Sequence, residues 1–251
     1  MVHVTGTLIN AGTVLAGTTA GTLLGGRLPE RVREVVMDGL GLVVLLVGID
    51  QGLAAFRPPF STLVTGAAAG GVAVLIVLGS ILLGGIAGEI IGIERGLVAA
   101  GDALKRRFGS GQARFTEGFV VASLVFCVGP LTILGAINDG LSGDYSLLAV
   151  KAMLDGFAAL AFSSALGWGV GFSVITIIVY QGGLSLLAGT VAGAVGDPSR
   201  SPAIASVTAT GGVLILAIGL RLLRVKEIRV ANLLPALLLA PAAVAVVELF
   251  R

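Results

Sequence analysis

The chain has 251 residues, of which 56% are hydrophobic and only 12% charged, and its mean hydropathy is +1.05. Soluble domains carry about 25% charged residues, so lipid must be the solvent for much of this surface. A net charge of +2, with the basic residues in short loops, excludes a nucleic-acid surface, and one cysteine (Cys127) with one histidine excludes an internal disulfide and a structural zinc set.

No basic n-region precedes the first apolar stretch, so no cleaved signal peptide is expected. Segment one, about 4–25, is rich in Gly and Thr and carries Asn10. Gly17, Gly21 and Gly25 fall four apart on one helix face, a spacing that lets another backbone approach closely. A helix this poor in large apolar residues gains little from lipid, which places it inside the bundle. Segment two, about 39–56, ends near Asp50 and Gln51 and is stopped by Arg57, Pro58 and Pro59. Segment three is expected over about 62–92. As one helix it would span about 46 Å, more than the hydrocarbon core of about 30 Å, so it must tilt, break or project, with Gly84, Gly85 and Gly88 as the expected break.

The longest hydrophilic stretch, 94–117, reads as a surface helix with Lys105, Arg106 and Arg107, then a flexible turn at Gly109, Ser110 and Gly111. Segments four (about 118–137), five (about 147–166) and six (about 172–195) hold polar residues within apolar runs. Segment seven covers about 203–223. Segment eight covers about 230–249, with Pro235 and Pro241 inside it. These eight spans form a single integral membrane domain over 1–251, an all-α polytopic bundle.

The eight-span arrangement puts twelve of the 16 basic residues on one side, three on the other, and Lys151 inside a span. By the positive-inside rule the rich side is cytoplasmic and both termini face outward. Weak internal echoes suggest an inverted-topology repeat of spans one to three and six to eight. LAGTTAGT (15–22) resembles LAGTVAGA (187–194), and VVLLVGIDQGL (43–53) resembles VLILAIGLRLL (213–223). Gly/Ala/Leu-rich helices also resemble one another by composition alone. Inverted repeats are common in secondary transporters, with the site near the repeat interface.

The candidate site residues are the polar ones in the central spans. Lys151 and Asp155 share a helix face, and ionised groups in hydrocarbon are costly unless paired or hydrated. They form either a gated pair on a solute path or a structural ion pair, with a snorkelling Lys151 as the third reading. Gly129 and Pro130 break span four, freeing carbonyls that can coordinate a cation or simply kinking the helix for packing. Asn138, Asp139, Asp144 and Tyr145 read first as a solvated turn closing span four, and second as an acidic mouth that concentrates cations. Gln181, with Gly182 and Gly183 after it, sits mid-span, where an unwound turn is allowed and Gln serves as site or interhelical glue. Asn10 and Asp50 are weaker candidates of the same type. Cys127 reads as a small core residue, and Ser163 and Ser164 as back-bonded to helix carbonyls.

The run ASLVFCVGPLTILGAINDGLSGDYSLLAVKAMLDGFAALAFSSALGWGVGFSVITIIVYQG (122–182) resembles the signature of the DUF554 family of bacterial inner-membrane proteins, and the opening GTLINAGTVLAGTTAG (6–21) resembles that family's N-terminus. The resemblance covers essentially the whole chain. It implies an inner-membrane location and a role often suggested to be transport, and it brings no catalytic residues.

No Walker loop, HExxH, GxSxG or paired histidines occur, so neither an enzyme nor a cofactor-bearing protein is expected. The expected function is a small secondary transporter or channel for a cation or small polar solute, its path lined by spans one, four, five and six. The alternative is a non-transporting membrane scaffold. The bilayer is the expected partner, with no nucleic acid, and the glycine-rich faces suit a homo-oligomer.

Overall fold

A computed structural model describes residues 3–25, 29–63, 70–108, 113–188 and 201–250, without the side chains of Arg33 and Pro130. The expected turn at 109–111, Arg27, Arg200, Arg251 and most of the second LAGTVAGA copy lie outside the described residues. No strand occurs among the described residues.

The helices are α1 (Thr5–Gly25), α2 (Glu30–Gly52), α3 (Gly71–Ile91), α4 (Ile93–Phe108), α5 (Phe115–Cys127), α6 (Pro130–Ser142), α7 (Ser146–Leu166), α8 (Ser173–Ile177), α9 (Gly183–Leu186), α10 (Pro202–Leu222) and α11 (Ala236–Leu249). A π-helical turn, Ile178–Gly182, joins α8 to α9. Short 3-10 turns at Leu53–Phe56, Gly167–Val170 and Val230–Leu233 join other elements.

Among the described residues, four helices are long and apolar enough to cross a membrane: Gly71–Ile91, Ser146–Val170, Pro202–Leu222 and Val230–Leu249. Phe115–Cys127 and Leu131–Ser142 make a fifth if the pair, bent by 64°, is one span. Of the other expected spans, α1 is diluted by Gly and Thr, α2 opens on charged residues, and Ser173–Leu186 is shorter. This is an all-α membrane bundle with the broken fourth segment expected from Gly129 and Pro130. The over-long third segment does not occur among the described residues. Its helix starts at Gly71 and stops at Gly92, which takes a left-handed conformation (φ 77°). Gly84 and Gly88 are not a break: they lie inside α3 and face Ala236 and Asn232 at close range.

The packing forms two units. The first comprises 1–40 and 96–194, so it holds α1, α5, α6, α7, α8 and α9. Here α1 lies against α7 in parallel. A Cβ at Gly6 would meet Leu148, one at Gly17 the Gly156 carbonyl, one at Gly21 that of Leu160, and one at Gly25 that of Ser164. Each approach is closer than a side chain allows, and at Gly17, Gly21 and Gly25 the facing atoms are backbone, the contact that the four-residue glycine spacing predicts. The α8–α9 run crosses α1 in the opposite sense, with Gly171 against Thr18 and Gly182 against Thr7. α5 and α6 run parallel to that segment, with Phe115 against Gly169, Ser123 against Thr176 and Gly140 against Ser185.

The second unit comprises 41–95 and 195–251. The C-terminal half of α2 packs antiparallel to α10, with Gly41 against Leu223, Gly48 against Leu216 and Gly212 against Gly52. These are the two stretches of the second sequence echo. α3 packs antiparallel to α11. Phe60 and Leu63 fill a core with Ala73, Ile76, Ala209, Ala240 and Val244.

Candidate functional site

The first unit brings together residues from three separate helical runs. Asn10 projects from α1, Lys151 and Asp155 from α7, and Gln181 from the π turn. All are buried. Asn10 Nδ2 donates to Asp155 Oδ2 at 2.9 Å and to Gln181 Oε1 at 3.1 Å. The Lys151 ammonium donates to the same Asp155 oxygen, a pairing expected of residues four apart on a helix. Gln181 Nε2 donates to Thr7 Oγ1 at 3.2 Å. Lys151 therefore does not snorkel: its side chain is 7% exposed and paired.

The local sequence explains the placement. Thr7 and Asn10 are three apart, on the α1 face that holds Gly6, Val14, Thr18 and Gly21, all buried. That face meets α7 because the glycines remove side-chain bulk. The π turn widens the helix at Gln181, where Gly182 and Gly183 follow. Such turns insert an extra residue and recur at functional sites.

Asp139 is not in a solvated turn. The Asn-Asp-Gly run is helical, α6 continues to Ser142, and Gly143 (φ 74°) supplies the left-handed cap. Asp139 is 0% exposed and its Oδ2 accepts from the Gly6 N–H at 2.9 Å, so it caps the first turn of α1 from a neighbouring helix. The expected cluster therefore splits. Asn138 is half-buried, and Asp144 and Tyr145 are exposed. Ser146 donates to Asp144 through its hydroxyl and its amide, which holds the Asp144 carboxyl below the usual carboxylate range.

Gly129 has an extended backbone and precedes Pro130, the first residue of α6. The Thr132 hydroxyl donates to one carbonyl freed at the break, Phe126 O, at 3.4 Å. Cys127, buried at the end of α5, lies within electrostatic range of Lys151 and Asp155, so the break stands beside the pair. Ser163 and Ser164 bond back to Leu160 and Ala161 carbonyls. Asp50 is not in the cluster: it is exposed and pairs with Arg57 at 3.2 Å. No group of three or more His, Cys, Asp or Glu side chains suited to a metal occurs among the described residues.

Sequence reasoning missed a second network, in the other unit. The Glu94 carboxylate accepts from Arg221 at 2.9 Å and from the Ala231 N–H at 2.8 Å, and the Glu94 N–H donates to Asn232 Oδ1 at 2.7 Å. Asn232 Nδ2 and Arg229 both donate to Glu89. This network satisfies backbone groups at the start of α4 and in the 3-10 turn that precedes α11. The signal that could have found it is the pair of acids, Glu89 and Glu94, at the end of a long apolar run.

The family described as "Protein of unknown function (DUF554)" matches residues 5–245. The "Uncharacterized protein YqgA" of Escherichia coli (strain K12) is 34% identical over 243 residues, covering 94% of each chain. The "Uncharacterized membrane protein YdfK" of Bacillus subtilis (strain 168) is 29% identical over 248 residues, covering 98% of this chain and 97% of that one. No solved structure matches the chain.

Proposed function

The chain belongs to the DUF554 family, and from that premise we propose that it is a small secondary transporter or channel of the bacterial inner membrane, carrying a cation or small polar solute through the first unit. One observation carries this reading: Asn10, Lys151, Asp155 and Gln181, from separate helical runs, converge on one buried cluster beside a broken helix and a π turn. Intramembrane ionisable groups mark solute and ion paths, and interrupted helices at a packed interface build transporter sites.

The helix directions support the alternation of eight crossings, and the basic-residue distribution is what argues for both termini outside. α1 is parallel to α7, α2 antiparallel to α10, and α3 antiparallel to α11, as alternation requires of spans one and five, two and seven, three and eight. The antiparallel pairing of 43–53 with 213–223 is what an inverted repeat would give. The protein is not expected to be an enzyme, and its glycine-bearing faces suit a homo-oligomer.

A scaffold role is the second reading, favoured by the mutual hydrogen bonds of the cluster, which also serve as interhelical glue. Flux in proteoliposomes decides. Transport conferred by the wild type and lost in Asp155→Asn supports the path. A protein that carries none of a panel of cations and small metabolites, and whose Asp155→Asn variant works normally in cells, is a scaffold.

A further inference from the structure

Four buried side-chain oxygens among the described residues of the first unit lack a hydrogen-bond partner, and of these the Thr18 and Ser173 hydroxyls can also donate, whereas those of Asn10 and Asp139 can only accept. Asn10 and Asp139 are both 0% exposed, and Oδ1 of each lacks a hydrogen-bond partner. The other half of each group is engaged: Asn10 Nδ2 with Asp155 and Gln181, Asp139 Oδ2 with the Gly6 N–H. Gly6 and Asn10 are four apart, hence on one face of α1, about 6 Å apart along its axis. Asp139 docks at the first position and Asn10 stands at the second. The Thr7 hydroxyl, which accepts from Gln181, belongs to the same turn.

Charge points the same way. Lys151 and Asp155 neutralise each other. Asp139 forms no ion pair among the described residues, so it is a single buried carboxylate in a membrane bundle, where an uncompensated charge is costly. A buried acceptor left without a donor is costly as well. Carboxylate, amide and hydroxyl oxygens are hard ligands that suit hard cations. One unbalanced carboxylate matches one positive charge, and a divalent ion would leave an excess near the Lys151 ammonium.

We propose that a single monovalent alkali cation binds between Asp139 and Asn10, held by their two Oδ1 atoms. Asn10 also bonds to Asp155 and Gln181, so occupancy of this site is coupled to the Lys151–Asp155 pair. The inference rests on the reading of the cluster as a solute path and names the ion that the path carries.

The test is equilibrium binding of radiolabelled sodium or rubidium to the purified full chain in detergent. Saturable binding displaced by lithium or potassium, and not by choline, is expected. Asp139→Asn should abolish it while keeping an acceptor for the Gly6 N–H, and Asn10→Ala should weaken it about tenfold. Should Asp139→Asn fail to stay monodisperse, Asn10→Ala decides alone. The site is overturned if the wild type binds neither ion saturably, or if binding in the folded variants is unchanged. Flux is scored separately: binding without flux upholds the site and sinks the path, and flux of another solute without binding does the reverse.

Discussion

Asn10 Nδ2 lies 2.9 Å from Asp155 Oδ2, joining two helices across 145 residues of sequence. The same carboxylate oxygen receives the Lys151 ammonium. Asp155 is thus the point where α1 and the charge of α7 meet, and this junction can be probed in two separate ways.

The first concerns charge. Asp155→Leu strands the Lys151 ammonium in a buried site, whereas Lys151→Met with Asp155→Leu removes both charges. Breaking one partner of a buried pair costs about 3–5 kcal/mol, and replacing both with apolar groups costs little. The double variant should therefore unfold at a higher temperature in detergent than Asp155→Leu alone. A double variant no more stable than the single one would show that the pair is not desolvated.

The second concerns packing around the cluster. Gly21 faces the Leu160 carbonyl, and nothing lies within 4 Å of a Cβ at Gly12. Gly21→Leu should wedge α1 from α7 and cost about 3 kcal/mol or more by overpacking. Gly12→Ala should be neutral or slightly stabilising. Thermal unfolding and monodispersity of the two variants check this contrast.

In the second unit, Glu94 receives both the Arg221 guanidinium and the Ala231 N–H. Glu94→Ala leaves a charge and a backbone donor without this partner and should destabilise by about 3 kcal/mol. Glu94→Gln keeps an acceptor and should cost less. The order Ala worse than Gln, read from unfolding midpoints, is the check.

Asp144 gives a pH dependence. Ser146 lowers its carboxyl below the usual range through hydroxyl and amide hydrogen bonds. A depressed carboxyl contributes its stabilisation above the unfolded-state pKa and loses it as pH falls through the folded one. The first turn of α7 should therefore exchange backbone hydrogens faster only on the acid side, and Asp144→Ala should remove that acid response. An unchanged response in the variant would place the titrating group elsewhere.

Much of the site was legible because polar residues are conspicuous in apolar runs. Asn10 and Gln181 stand out singly, Lys151 and Asp155 as a pair four apart, and the α1 glycine spacing shows which face packs. What sequence could not show was which helices would meet: alternation leaves many pairings open, and only the packed glycine faces choose among them. Asp139 was misread because Asn-Asp-Gly is turn chemistry, yet the helix runs on to Gly143 and the carboxylate is buried against the start of α1. The third segment differs from its expected length because its helix begins at Gly71, with Gly70 before it at a positive φ, and stops at the left-handed Gly92. Glu94 and Asn232 escape notice in the sequence because polar residues near span ends read equally well as exposed loop residues.

The central claim is that the cluster lines a path. Its most direct test is ion and solute flux into proteoliposomes, wild type against Asp155→Asn, with both proteins shown to be monodisperse. The account predicts flux of a monovalent cation or small polar solute conferred by the wild type and abolished by Asp155→Asn. Equal flux from the two proteins would contradict it.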